Sequence, residues 1–308
     1  MSKQNIIVVG SSNTDMIIRL DHIPRPGETI LGGEFFSSAG GKGANQAVSA
    51  ARAGGKVIFI ARVGLDMFGD KAVAGFKKEG INTDNILRDT SSPSGVALIF
   101  VARDGENSIA VAGGANGNLS PEDVINAGEL FSDARMLVMQ LETPLDTVQK
   151  AADLAVTSGV LVILNPAPAR SLPDELLRNI SIITPNETEA ELLTGIKVDD
   201  NDSASKAADI LLARGVETVI ITLGSRGAFI AGEGIRKLVP GFRVKAVDTT
   251  AAGDTFNGTL AVALVEGITL EDAVRFANAA AAISVTRLGA QSSLPTRMEI
   301  EEFLRNNG

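Results

Sequence analysis

The sequence has no cysteine, no tryptophan, no tyrosine and a single histidine, His22. Without cysteine, disulfides and thiolate chemistry are excluded. One histidine rules out His-rich zinc sites and argues against a Ser-His-Asp triad. His22 lies in a loop with Pro24 and Pro26 and is read as a surface residue. Any metal must therefore be a hard cation on oxygen ligands. Phe is the only large aromatic, so the core must be aliphatic and rich in Ala and Gly, as helix-on-sheet packing permits. A basic surplus is missing too. Against 37 Asp and Glu stand 28 Lys and Arg, a formal net charge of −9. That argues against nonspecific nucleic-acid binding and against docking to an anionic membrane. A phosphate ligand would need a local positive field. There is no signal peptide and no apolar run of transmembrane length, so a cytoplasmic protein is expected. The 308 residues suffice for one large α/β domain with a small appended element.

The stretch from Val244 to Glu266 organises what is present. Val244, Ala246 and Val247 read as the end of a buried strand, and Thr255 to Val265 as a buried helix. Between them lie Asp248, Thr249, Thr250, Ala251, Ala252, Gly253 and Asp254. A small-residue turn at a helix start is a ready anion site, because the first N–H groups have no partner inside the helix and the dipole is positive there. Gly253 lets the backbone come close to a ligand. Asp254 would repel an anion, yet it makes sense as a group that takes a proton from a hydroxyl attacking a bound phosphoryl. The plain alternative is a helix N-cap.

Ile6 to Gly10 has the form of a buried parallel strand, and Asn13 and Asp15 follow at the carboxyl end where open α/β sheets bind ligands. An Asx-turn would use the same residues. Gly40-Gly41-Lys42-Gly43-Ala44-Asn45 opens an Ala-rich helix, but it is neither a Walker A loop nor a dinucleotide G-x-G-x-x-G. Thr29 to Ser38 is strand-like, and Val96 to Ala102 with Asn107 to Ala112 reads as a hairpin across Arg103-Asp-Gly-Glu. These pieces interrupt the β-then-α alternation. Strands drawn from about 14–37 and 96–112 are expected to form a small sheet that covers the cleft or pairs with a second subunit. From Arg135 onward strands and helices alternate regularly, which predicts a doubly wound, mostly parallel sheet. Gln140, Glu142, Asn165, Asn186 and Thr222 fall at strand ends. Asn186 and Glu189 lie nearly one helical turn apart, so both can face one Mg²⁺ and its waters, or form a capping box. Thr222 to Gly227 is a second glycine turn with Arg226 available for phosphate, and Asn278 sits on a predicted helix over 272–285.

The ordered set Gly40-Gly41-Lys42-Gly43-Ala44-Asn45, Asn186-Glu-Thr-Glu189, Thr222-Leu-Gly-Ser-Arg-Gly227 and Asp248-Thr-Thr-Ala-Ala-Gly-Asp254 resembles the PfkB-type carbohydrate kinases, from Ile6 to Leu304. Gln140-Leu-Glu142, Asn165-Pro-Ala-Pro-Ala-Arg170 and Val239-Pro-Gly-Phe-Arg243 look closer to the members that act on ribose than to the family at large. The resemblance implies an ATP-dependent sugar kinase with Asp254 as catalytic base and Ala251, Ala252 and Gly253 as the anion hole. It implies that Asn13, Asp15, Gly41, Lys42, Asn45, Glu142 and Asp254 bind the sugar. Asn186, Thr222, Gly224, Ser225, Arg226, Gly227, Gly253 and Asn278 would line the ATP site, and Glu189 would act on Mg²⁺ through water. A monovalent cation, K⁺, is implied near Asp248, Thr250, Ser284, Arg287, Gly289 and Ser293, several through backbone carbonyls. The family fold is a central α/β sheet with a small β lid, and the lid commonly forms a homodimer contact. From the residues themselves a pentose is favoured, since Asn13, Asp15, Asn45 and Glu142 direct polar groups at hydroxyls and almost no aromatic surface is on offer. Rival readings are a kinase of deoxyribose, fructose or a nucleoside, and a binding protein on a kinase scaffold. The latter would have lost the base or the turn, and Gly253 and Asp254 are both present.

Overall fold

In the computed structural model, which describes residues 3–232 and 234–307, the first apolar run forms β1 (Asn5–Val9), whose Ile6 to Val9 are fully buried. A strand covered on both faces needs no polar alternation. β2 (Asn13–Leu20), β3 (Glu34–Gly40), α1 (Lys42–Arg52), β4 (Lys56–Gly64), α2 (Met67–Lys78), β5 (Ile86–Asp89), β6 (Gly95–Ala102), β7 (Asn107–Ala112) and α3 (Pro121–Asn126) follow. Next come β8 (Ala134–Met139), α4 (Leu145–Thr157), β9 (Leu161–Leu164), α5 (Asp174–Leu177), β10 (Ile182–Ile183), α6 (Glu187–Thr194) and α7 (Asn201–Ala213). The chain ends with β11 (Thr218–Thr222), β12 (Gly227–Gly232), β13 (Ile235–Pro240), α8 (Ala252–Val265), α9 (Leu270–Ser284) and α10 (Arg297–Asn306).

Nine strands make one sheet in the order β13-β12-β11-β10-β9-β8-β1-β4-β5. Its pairs are parallel from β11 to β5 and antiparallel only at β11–β12 and β12–β13. Each face carries its own apolar layer. Ile7, Val9, Leu137 and Met139 join α4 and α7 on one side, while Ile6, Val8, Met136 and Val138 join α1, α8 and α9 on the other. The expected doubly wound, mostly parallel sheet is the one observed. Because its parallel strands point the same way, the polar residues that end β1, β8, β9, β10 and β11 gather at one edge.

Four strands make a second sheet, in the order β3-β2-β6-β7, and it stands at that edge. The expected hairpin is β6–β7, paired antiparallel. By register Asp15 and Ile17 lie opposite Ala97 and Ile99, which in turn lie opposite Val111 and Ile109, so these residues share one face. Ile109 and Val111 are 57% and 56% exposed.

Two expectations need correction. The strand expected from Thr29 starts only at Glu34, because Gly32 and Gly33 take φ of 106° and 98°, outside the range of a ladder. Val244 to Val247 is no strand. Beyond the edge strand β13 the chain finds no further sheet partner and runs irregularly, with Val247 exposed and its N–H donating to Val285 O at 2.7 Å. The β12–β13 hairpin, β5 and α3 were not foreseen from the sequence.

α8 is apolar nearly all round because it is packed on the sheet, α1 and α9. A Cβ on Gly258 would sit 2.5 Å from Gln46 O and 2.8 Å from Ala50 N, so α1 and α8 meet backbone to backbone there. Ser49 Oγ, donating to Thr255 O at 3.0 Å, fixes the same joint. Among the described residues no helix is long and apolar enough to cross a membrane.

Candidate active site

Ala251 turns the chain into α8. With φ 60° and ψ 13° it is the only left-handed non-glycine residue among those described, a conformation that costs about 1–3 kcal/mol. Asp254 is the third residue of the helix and caps nothing. Its side chain turns inward, 5% exposed, where Oδ2 accepts from Asn45 Nδ2 and Oδ1 from Gln46 Nε2, each at 2.9 Å. Burial pushes this carboxyl above the usual range, and Lys42, Asn45 and Gln46 pull it back while Glu142 adds to the rise. The N-cap alternative is thereby removed, and a buried carboxyl held by two amide donors remains. A Cβ on Gly253 would meet no atom within 4 Å, so packing does not demand glycine there. The Ala252 N–H leans on Thr249 O at 3.3 Å, leaving Gly253 and Asp254 to open the helix.

The residues expected on the sugar side come together from four places in the chain. Glu142, after β8, accepts from Lys42 N at 3.0 Å and from Ser11 Oγ at 2.5 Å. Gly41 has φ 90°, and a Cβ on it would lie 2.7 Å from Asn13 N, so here the backbone requires glycine. Asn13 Oδ1 accepts from Asn116 Nδ2 at 2.7 Å. The Oδ1 of Asn45 is buried with no protein partner. Asp15 reaches in from β2 of the small sheet, and its carboxyl is raised to about 6, first by burial and then by the charges of Glu142 and Asp254. Three carboxylates thus face one cleft. Burial alone would lower Lys42, but Asp254, Glu142 and Glu189 outweigh it and hold the ammonium charged.

Toward β11 the same cleft changes character. Lys42, Asn186, Glu189, Thr222, Gly253 and Asp254 line one cavity of about 170 Å³. Asn186 and Glu189 do form the capping box, with Asn186 Oδ1 accepting from Glu189 N at 2.8 Å and Glu189 Oε2 from Asn186 N at 2.9 Å. Burial raises Glu189, opposed by that backbone bond and by Lys42. A larger hollow of about 700 Å³ lies beside Ser225 and Arg226, lined also by Asn201, Pro240 and Arg243. Buried Asp254 belongs to the smaller cavity. Arg226 is not free as expected, since its guanidinium donates to Asp199 O at 2.7 Å and pairs with Glu187 at 3.3 Å. Asn278 is no solvent-facing polar residue. It is 8% exposed and donates to Val239 O and Pro240 O, both at 3.3 Å, tying β13 to α9.

Asp248, Thr250 and Gly289 meet in one loop cluster. Asp248 Oδ1 accepts from Thr250 N and Oγ1 at 2.9 and 2.7 Å, and Oδ2 from Gly289 N at 2.8 Å. Those bonds overcome burial and keep the carboxyl below its ordinary value. Ser284 and Ser293 spend their hydroxyls on Ala281 O and Ala290 O, and Arg287 turns its guanidinium to Glu299 at 2.6 Å. Arg287 therefore offers a cation only backbone oxygen, while each Ser keeps hydroxyl lone pairs beside its carbonyl. Gln46, Ser11, Asn116 and Asn257 all hold the site together and were missed. The one available signal was Asn45-Gln46, two adjacent amides in an otherwise Ala-rich helix.

Residues 3–297 match the pfkB family carbohydrate kinases. The chain is 50% identical over 304 residues to a ribokinase from Haemophilus influenzae, covering 99% of each. It is 41% identical over 304 residues to a deoxyribokinase from Salmonella typhi, covering 98% of this chain and 99% of the other. Its fold superposes on an Arabidopsis thaliana ribokinase complexed with ribose and ATP, with TM-score 0.90, 34% identity and 99% of each chain covered.

Proposed function

The chain belongs to the pfkB family of carbohydrate kinases, and from that premise we propose that it transfers the terminal phosphoryl group of ATP to the primary hydroxyl of D-ribose, giving D-ribose 5-phosphate and ADP. The observation that carries this reading is the buried Asp254 carboxylate, held by two amide donors one residue from the open backbone of Gly253. Asp254 takes the proton of the attacking hydroxyl. The Gly253 N–H at the start of α8, presented by the Ala251–Ala252 turn, receives the charge that develops on the phosphoryl. Asn13, Asp15, Asn45 and Glu142 accept from or donate to sugar hydroxyls, and Lys42 keeps the three carboxylates from repelling one another and the incoming phosphate. The nucleotide lies along Asn186, Thr222 and the Gly224–Gly227 turn, with the larger hollow and Asn278 at its far end.

The donor set fits Mg²⁺, since Glu189 keeps one carboxylate oxygen outside its cap and lies in the cavity with Lys42. When bound, the ion neutralises phosphate charge. The Asp248 loop, with Thr250 and Gly289 bonded to its carboxylate, would hold a K⁺ ion through backbone carbonyls. The small sheet acts as a lid over the sugar, and its exposed apolar residues Ile109 and Val111 suit a homodimer contact.

The test is ADP release from MgATP in potassium buffer, with D-ribose, 2-deoxyribose, fructose and adenosine as parallel acceptors. Turnover on ribose above the others is expected. Because a deoxyribokinase is 41% identical to the chain, preference for 2-deoxyribose is the specific outcome that would keep the base and overturn the sugar. No turnover on any acceptor would reject the reading.

A further inference from the structure

Behind Asp254 lies a run of buried amides that phosphoryl transfer as described does not use. Gln46 is fully buried. Its Oε1 accepts from Gln140 Nε2 at 2.6 Å, which sets the direction of the amide. Nε2 therefore points the other way, donating to Asp254 Oδ1 at 2.9 Å and to Asn165 Oδ1 at 3.2 Å. The run continues from Asn165 Nδ2 to Thr184 O at 3.3 Å, from Thr184 Oγ1 to Asn257 Oδ1 at 2.7 Å, and from Asn257 Nδ2 to Gly253 O at 2.8 Å. It begins on the side chain of Asp254 and returns to the peptide just before it. Gln140 Oε1 has no partner in this interior, a cost that an apolar pair at both positions would avoid. Packing alone does not explain two glutamines here. The backbone contact of Gly258 with Gln46 O leaves α1 no freedom to carry Gln46 away from α8.

Resting on the sugar-kinase reading, we infer that Gln46 is a positioning residue for phosphoryl transfer. Directed by Gln140, it clamps the Asp254 carboxylate in one orientation and donates to it in its proton-accepting form. The charged groups that face Asp254 are Lys42 on α1 and Glu142 after β8, with Asp15 and Glu189 within its field. None of them donates a hydrogen bond to its Oδ1 among the described residues. Gln46 is thus the donor that works against burial at that oxygen.

The test compares Gln46→Leu and Gln46→Glu with the native chain. The carboxyl carbon of Asp254 is titrated by NMR on carbon-13-labelled Asp, assigned by its absence in Asp254→Asn. The pH profile of kcat and the KM for ATP are measured alongside. Losing a donor to a charged group moves the Asp254 titration and the acidic limb of kcat upward by about one to two pH units, with KM for ATP unchanged. Gln46→Glu, nearly isosteric, is the milder change for packing but the harsher one for the base, because it sets a second carboxylate against it. A purely structural role lowers the melting temperature of either variant without moving the Asp254 titration. If both melt like the native protein and Asp254 titrates as before, Gln46 has no positioning role. If Leu at 46 does not fold, the Glu variant alone decides. Asp254→Asn that keeps native turnover removes the base and this inference with it. An inactive Asp254→Asn beside unshifted Gln46 variants removes Gln46 alone.

Discussion

Asp254→Asn separates catalysis from stability at the one residue where both have been argued. The kinetic loss is that of a positioned base, about 10²–10⁴ in turnover, or ~2.7–5.4 kcal/mol of barrier. The stability cost can be worked from the amides. Asp254 accepts from Asn45 Nδ2 and Gln46 Nε2, and an asparagine offers one acceptor and one donor. Gln46 cannot turn over because Gln140 holds its carbonyl, so the new Oδ1 faces Gln46. The new Nδ2 then faces Asn45, whose Oδ1 is buried and unpartnered. Rotating the Asn45 amide by half a turn restores the second bond. Both hydrogen bonds survive, and a carboxylate that burial disfavours is gone. The variant is expected to melt at or above the native temperature, to bind ribose by calorimetry, and to release ADP at least a hundredfold more slowly. Turnover within tenfold of native would refute the assignment of the base. Turnover lost together with the fold would refute the amide accounting instead.

Gly253→Ala places a methyl in open space at a helix start. It should melt no lower than native, since Ala is favoured over Gly in a helix by ~0.5–1 kcal/mol, yet turnover should fall at least tenfold; native turnover removes Gly253 from the anion hole. Asp15 is an acid whose folded value, about 6, exceeds its ordinary 3.8. The stability this favours is present below about pH 4 and lost as pH rises through 6, on the order of 3 kcal/mol. Sugar hydroxyls donating to its ionised form recover part of that loss. Calorimetry near pH 5.5 in two buffers of different protonation enthalpy should therefore register proton release on ribose binding, and heats that do not depend on the buffer would count against Asp15 as a sugar ligand. Ile109→Asp, on the exposed face of the small sheet, should turn a two-chain species into a single chain in sedimentation, and an unchanged mass places any dimer contact elsewhere.

The parallel sheet was legible because buried parallel strands are short apolar runs that end in polar residues, as at Val9 to Asn13 and Met139 to Glu142. The small sheet was legible through its hairpin, where Arg103-Asp-Gly-Glu breaks two strand-like runs. What failed shares a physical cause. Val244, Ala246 and Val247 are apolar, but whether such a run becomes a strand depends on a free sheet edge, which local sequence does not encode. Arg226 was read as free because its partners, Glu187 and Asp199, lie 39 and 27 residues away. Gln46 was missed because a glutamine on a helix normally faces water. Here the helix is buried on the side where Gly258 admits it, and only the docked pair of helices reveals that.

That docking has a mechanical consequence. The glycine turn proposed to receive the sugar begins α1, the proposed base begins α8, and Gly258 seats the two helices on each other with no side chain between. They behave as one welded part. Asp15, by contrast, is borne by the small sheet, so whatever swing that sheet makes is spent on gripping and releasing cargo. On the sugar-kinase reading, the spacing of acceptor turn and base is thus fixed by the helix joint and not by the sheet.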